Sequence, residues 1–158
     1  MIQLETNWSF VNDGEETPDG FSFAGIAAGL KDSNKKDLAL ILAPENSICS
    51  GLFTQSIVRA SCVGICEQRI KKSSGLIRAI LINSGQANAC TGDFGIQHTL
   101  IATKELSQLL GINEEEVLMC STGVIGIPIQ IKNLIDNLPN LVKELKTNSL
   151  QNLSLIHI

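Results

Sequence analysis

Residues 38–43 read Leu-Ala-Leu-Ile-Leu-Ala, an apolar run without one polar position. Side chains of a strand alternate between its two faces, so a strand of this composition needs cover on both sides. A second run, Leu76-Ile-Arg-Ala-Ile-Leu-Ile-Asn83, and a third, Val117-Leu-Met-Cys120, are of strand length too. Between these two lies an amphipathic stretch, 95–110. Ala102, Leu106, Leu109 and Leu110 recur there at helical spacing, and Gly111 follows as a stop. Strands and helices alternate, so the class is α/β or α+β and not all-α.

The rest of the chain fits around these segments. Residues 1–19 form a polar entry that ends in Glu-Glu-Thr-Pro-Asp. From Gly20 to Gly29, Phe21, Phe23 and Ile26 stand among glycines and alanines, a composition that permits close backbone approach in a strand. Residues 31–36 read as a charged turn, 51–54 as a short strand, and 56–70 as either helix or strand. The glycine-rich stretch 84–95 reads as a loop, and Thr122 to Gly126 as a glycine-punctuated turn. Helices are expected at 129–137 and 139–147, with Pro139 in the first turn of the second. Residues 20–148 make one folded segment, and 149–158 form a tail without a cap or a helical stripe.

Composition excludes several functions. The 158 residues suit one domain, and 44% apolar with 18% charged residues argues against disorder. A net charge of −4 offers no attraction to phosphate backbones or anionic lipid, and Trp8 with five Phe makes a poor base-stacking platform. No nucleic-acid or membrane partner is expected. The first thirteen residues carry Glu5 and Asp13 without a basic region ahead of an apolar run. No window reaches the roughly 18 apolar residues of a membrane span, so the expected location is the cytosol. Cys49, Cys62, Cys66, Cys90 and Cys120 are odd in number and not spaced as a metal or redox motif. They read as reduced, mostly buried small hydrophobes, and neither metal nor cofactor is expected. His98, near the start of the amphipathic stretch, reads as a structural or exposed side chain rather than a catalytic base.

Two junctions carry the chemical signal. In each, an apolar strand runs into hydroxyl or amide residues and then glycine: Ile82-Asn-Ser-Gly85 and Cys120-Ser-Thr-Gly123. Turns of this kind can free backbone N–H groups which, with a neighbouring hydroxyl, converge on a developing oxyanion. They equally suit ordinary tight turns in which glycine takes positive φ and the hydroxyl caps the next helix. The residues alone leave both readings open.

Asn83-Ser-Gly-Gln-Ala-Asn-Ala-Cys-Thr-Gly92 and Ser121-Thr-Gly-Val-Ile-Gly126 resemble the two signature stretches of the bifunctional ornithine acetyltransferase/glutamate N-acetyltransferase family of arginine biosynthesis. The likeness extends through Gly20-Phe21, residues 25–30, Lys36-Asp-Leu-Ala-Leu40 and Phe53-Thr54, and covers about 18–145. Ser56 and Gln86 stand where the family usually has Asn. The resemblance implies a layered sheet-and-helix fold shared with the self-cleaving aminopeptidases, here incomplete. It also implies a precursor that cleaves itself at an Ala-Thr junction, after which the new N-terminal Thr serves as nucleophile. That Thr takes acetyl from N-acetylornithine and passes it to glutamate; some members also use acetyl-CoA as donor. By the same resemblance Thr122 and Gly123 form the oxyanion hole, and the partner is a β-chain from the same precursor in an α2β2 assembly. The one Ala-Thr here, Ala102-Thr103, sits inside the amphipathic stretch. The chain therefore reads as an N-terminal piece of such an enzyme, inactive alone, with a truncated or foreign tail. The alternatives are a fragment of a self-cleaving aminopeptidase and a stand-alone binding or assembly domain. On the leading reading, the two junctions lie side by side with the 95–110 helix packed across their strands, and apolar surface is left open.

Overall fold

The computed structural model describes residues 17–147 and 150–153. Strands β1 (Ser22–Ile26), β2 (Leu38–Leu42), β3 (Ala79–Gln86) and β4 (Val117–Val124) form one sheet in chain order. The first two pairings are antiparallel and β3 with β4 is parallel. Helix α1 (Ser61–Lys72) precedes β3, α2 (Gly92–Leu110) crosses from β3 to β4, and α3 (Ile131–Lys143) follows β4. The mixed α/β class is as the sequence indicated.

One face of the sheet is the core. Ala24, Leu38, Leu40, Ala79, Leu81, Val117 and Met119 meet Ala102 and Leu106 of α2 and Leu134, Leu138 and Leu141 of α3. The opposite face is thinly covered: Leu118 and Ile80 meet Cys66, Ile77, Cys49 and Phe53, while Ile41 and Ile82 are half-buried and Cys120 is exposed. The 38–43 run is thus buried fully at Leu38, Ala39 and Leu40 only.

The sequence reading needs five corrections. Residues 84–86 and 121–124 are strand, not loop or turn, for a reason that belongs to the site below. Residues 51–54 form no strand: the chain bridges Ile48 to Leu76, and 51–54 then pair with no strand among the described residues. Residues 129–147 hold one helix, α3, with the exposed Pro139 inside it. A proline within a helix costs about 3 kcal/mol or more. The unbroken stripe of fully buried Leu134, Leu138 and Leu141 outweighs it at roughly 1.5–3 kcal/mol each. On α2 the buried face carries Thr99, Thr103 and Ser107 beside Ala102 and Leu106, whereas Leu109 is exposed. Those hydroxyls donate back to the carbonyls of Gly95, Thr99 and Lys104, so they enter the core without an unmet donor. Of the cysteines only Cys62 and Cys66 are buried; Cys90 and Cys120 are exposed, Cys90 in a loop at positive φ and Cys120 on the open face. The ambiguous 56–70 stretch resolves as the helix α1. The polar entry at 1–16 and the tail at 148, 149 and 154–158 lie outside the described residues.

Candidate functional site

The two junctions are neighbours, and they are continuous sheet. Ser84 pairs with Thr122, Gly85 with Gly123 and Gln86 with Val124 in the parallel register of β3 and β4. The ladder then continues as Ala87 N–H donates to the Val124 carbonyl and Gly126 N–H to the Ala89 carbonyl. Both glycines have strongly positive φ, +135° at Gly85 and +132° at Gly123. A Cβ on Gly123 would lie 2.3 Å from the Gly85 carbonyl carbon and 2.4 Å from its oxygen. Two facing glycines therefore let the backbones come closer than side chains permit, and the ladder survives a composition that reads as a loop.

The outer edge of β4 decides what is free. An edge strand turns alternate peptide groups away from the sheet. Since Val124 accepts from Ala87, just past the end of β3, the outward residues are Val117, Met119, Ser121 and Gly123. Helix α1 covers the first three with side chains at helical spacing. Arg69 Nη1 donates to the Val117 carbonyl at 2.7 Å. The Cys66 thiol donates to the Met119 carbonyl at 3.3 Å and its sulfur accepts the Met119 N–H at 3.4 Å. Cys62 lies against Ser121. Gly123 is the next outward residue, and it is exposed, beyond the reach of the helix. Thr122 shares the thinly covered face with Leu118 and Cys120. It is half-buried, and its hydroxyl makes no hydrogen bond within the described residues. An unengaged hydroxyl and an unengaged N–H thus stand on consecutive residues at one corner of the sheet.

The thiols nearby are not prepared as nucleophiles. Burial pushes Cys66 up to about 11 and also raises Cys62; Cys120, though exposed by surface area, is raised too because the surrounding protein displaces water from its thiol, so all three stay protonated near neutral pH. His98 packs beside Phe94 with a ring separation of 6.1 Å, and its buried Nδ1 has no partner within the described residues. A cavity of about 720 Å³ lies elsewhere, between α1, the start of α2 and the turn at Glu114–Glu116. Its cations are already paired, Arg59 with Glu67, Arg69 with Glu114 and Lys72 with Glu115, so it offers no spare charge to a ligand. Within the described residues no three His, Cys, Asp or Glu side chains converge as a metal site, and no helix is long and apolar enough to cross a membrane.

The family model described as the ArgJ family matches residues 22–154. The chain belongs to the ArgJ family. The arginine biosynthesis bifunctional protein ArgJ of Prochlorococcus marinus subsp. pastoris is 95% identical over 142 residues, which is 90% of this chain and 35% of that protein. The ArgJ of Parasynechococcus marenigrum is 51% identical over the same shares. The chain thus spans about a third of the length of the curated relatives it matches. Among solved structures, the ornithine acetyltransferase of Mycobacterium tuberculosis complexed with ornithine matches with a TM-score of 0.78 at 34% identity, over 82% of this chain and 69% of that one. The ArgJ of Bacillus halodurans matches with a TM-score of 0.72 at 30% identity, over 77% and 62%. The ArgJ likeness read from residues 83–92 and 121–126 is therefore correct, and those stretches comprise the two adjoining strand ends, 83–86 and 121–124, with the turns that follow them.

The sequence singles out Thr122 and Gly123 as site residues and offers residues 25–30 and Asp37 only as marks of the resemblance, without a role; in the structure they brace the same glycine pair. The available signal was an acidic residue immediately ahead of a wholly apolar strand.

Proposed function

We propose that this chain supplies the oxyanion hole of an ornithine/glutamate acetyltransferase, with Thr122 O–H and Gly123 N–H as the two donors. The observation that carries the reading is the pairing of Thr122 and Gly123 with Ser84 and Gly85, which leaves both donors unengaged at one corner of the sheet. Membership of the ArgJ family and the likeness to an ornithine acetyltransferase supply the reaction class.

The chemistry is acyl transfer through a threonine ester. A threonine hydroxyl on a segment outside this sequence attacks the acetyl carbonyl of N-acetylornithine, and its proton passes to its own α-amine. The carbonyl oxygen gains negative charge and is met by the Thr122 hydroxyl and the Gly123 N–H. Collapse breaks the C–N bond, the proton returns to the departing amine, and ornithine leaves. The glutamate amine then attacks the ester through a second oxyanion in the same place and gives a proton to the α-amine; collapse breaks the ester C–O bond, and that proton passes to the threonine oxygen as N-acetylglutamate departs. Acetyl-CoA can enter as donor by the same route, with a thiol as leaving group. No cofactor takes part. Both donors act on charge that is absent from the bound substrate and develops on the way to the tetrahedral intermediate, which is where rate is gained.

On this reading the chain corresponds to the N-terminal part of the precursor, works in the cytoplasm, and pairs with a β-chain from that precursor in an α2β2 assembly. The test compares this chain with one completed by the remaining sequence of the 95% identical relative, assayed for acetyl transfer from N-acetylornithine to glutamate. The completed chain is expected to cleave itself and transfer acetyl, and the shorter chain to do neither. Transfer by the shorter chain, or none by a completed and processed one, would overturn the proposal.

A further inference from the structure

Asp37 is fully buried at the start of β2, with three backbone N–H groups on its carboxylate. Oδ1 accepts Ala28 N–H at 2.6 Å, and Oδ2 accepts Leu30 N–H at 2.7 Å and Lys31 N–H at 3.0 Å. Hydrogen bonds to an ionised acceptor are roughly twice as strong as neutral ones, and three converging on one group fix a loop firmly. The main chain of the same residue joins the sheet on both sides: its N–H donates to the Ile26 carbonyl and its carbonyl accepts Ser84 N–H at 2.8 Å. Residue 37 thus ties loop 28–31 directly to the first signature.

The loop in turn bears on the glycine pair. The Leu30 carbonyl accepts Gln86 Nε2 at 2.7 Å and stands 2.7 Å from where a Gly85 Cβ would be. From the outer side Asn133 of α3 donates to the Gly29 carbonyl at 3.0 Å. Gly85 is therefore confined by Leu30 on its Cβ side and by Gly123 along its carbonyl.

We propose that Asp37 is a positioning residue for acyl transfer: by fixing loop 28–31 it holds Gly85 in place, and Gly85 sets the Gly123 N–H and Thr122 hydroxyl on one point. This inference rests on the oxyanion-hole reading above. Asp37 touches no reacting atom; it acts through Leu30, Gly85 and Gly123.

The test uses the completed, processed enzyme with Asp37→Asn, Gln86→Met and, as reference, Thr122→Ala. Asparagine keeps the size of Asp37 but turns an NH2 toward N–H donors, so the loop must shift. Methionine at 86 is close in size to glutamine and removes the donor to Leu30 together with a buried Oε1 that has no partner within the described residues, so its main effect is to release the Leu30 carbonyl. Well below their melting temperatures, both variants are expected to lower kcat between about 10- and 100-fold, with KM for N-acetylornithine within about twofold. A residue needed only for folding would lower the melting temperature and leave kcat of the folded fraction unchanged. Should Asp37→Asn not fold, Gln86→Met decides alone. A large loss in Thr122→Ala with wild-type kcat in Gln86→Met would overturn the positioning role and leave the oxyanion hole standing. Wild-type kcat in Thr122→Ala would overturn the hole, and this inference with it.

Discussion

Replacing Gly123 by alanine tests the glycine contact directly. The added Cβ would lie 2.3 Å from the Gly85 carbonyl carbon, 2.4 Å from its oxygen and 2.7 Å from Gln86 N, all of them backbone atoms that no rotamer change can move aside. Overpacking of this kind costs about 1–3 kcal/mol, and a side chain at φ near +132° adds strain of about 1–3 kcal/mol. The expected loss is about 2–6 kcal/mol, a large share of the roughly 5–15 kcal/mol that holds a domain together. Two other glycines calibrate it. Gly111 takes φ +65° at the end of α2 with nothing within 4 Å, so Gly111→Ala should cost only the left-handed backbone penalty of about 1–2 kcal/mol. Gly64 lies inside α1 with equal room and no positive φ, so Gly64→Ala should stabilise by about 0.5–1 kcal/mol. Urea unfolding of the 158-residue chain, followed by circular dichroism, reads all three. The order expected is Gly64→Ala above wild type, then Gly111→Ala, then Gly123→Ala far below. A midpoint for Gly123→Ala equal to that of Gly111→Ala would refute the close approach of the two strands.

Other outcomes follow from the same structure. Exposed Cys90 should be alkylated by iodoacetamide at neutral pH, while Cys66, buried and raised to about 11, should resist until the solution becomes strongly alkaline; mass-spectrometric mapping at several pH values checks this, and equal labelling at pH 7 would contradict the α1–β4 contact. The thinly covered sheet face, with a hollow of about 310 Å³ lined by Phe21, Ile41, Ile48, Ile77 and Ile80, and the exposed Leu52, Ile57 and Val58 should bind a hydrophobic dye. A cooperatively melting monomer without dye fluorescence would instead mark a self-sufficient domain.

The strands that announce themselves in the sequence do so through burial. Leu38, Leu40, Leu81 and Met119 are apolar because they face the core, and Ala102 with Leu106 marks the inner side of α2 for the same reason. The ends of β3 and β4 carry no such mark. Asn83, Ser84, Gly85 and Gln86 have the composition of a loop, and so do Ser121, Thr122 and Gly123; they stay in the ladder because two glycines meet across it. That is a property of the pair and is absent from either segment read alone. Thr122 and Gly123 were legible through a family pattern, whereas the edge geometry that leaves them unengaged depends on where α1 ends. The position of Asp37 ahead of an apolar strand is visible in the sequence, but its role is hidden for a related reason. Its three partners lie 6 to 9 residues upstream, in a loop held by Asp37 itself together with Gln86 and α3, contacts that no periodicity of residues 28–31 marks. Pro139 marks a helix boundary locally, but the leucine stripe of Leu134, Leu138 and Leu141 carries one helix through it.

The central claim is that Thr122 donates to the oxyanion, and the turnover of Thr122→Ala in completed, self-processed enzyme tests it most directly. Loss of one such donor typically lowers kcat by about 10²–10³, or roughly 2.7–4 kcal/mol of transition-state stabilisation. KM for N-acetylornithine should change much less, since the hydroxyl is called on only as charge develops. Self-cleavage passes through a tetrahedral centre too, so processing is followed separately on gels and kcat is taken per processed chain. The account predicts a fall of at least about 100-fold in kcat with an unshifted melting temperature; wild-type turnover in fully processed Thr122→Ala would contradict it.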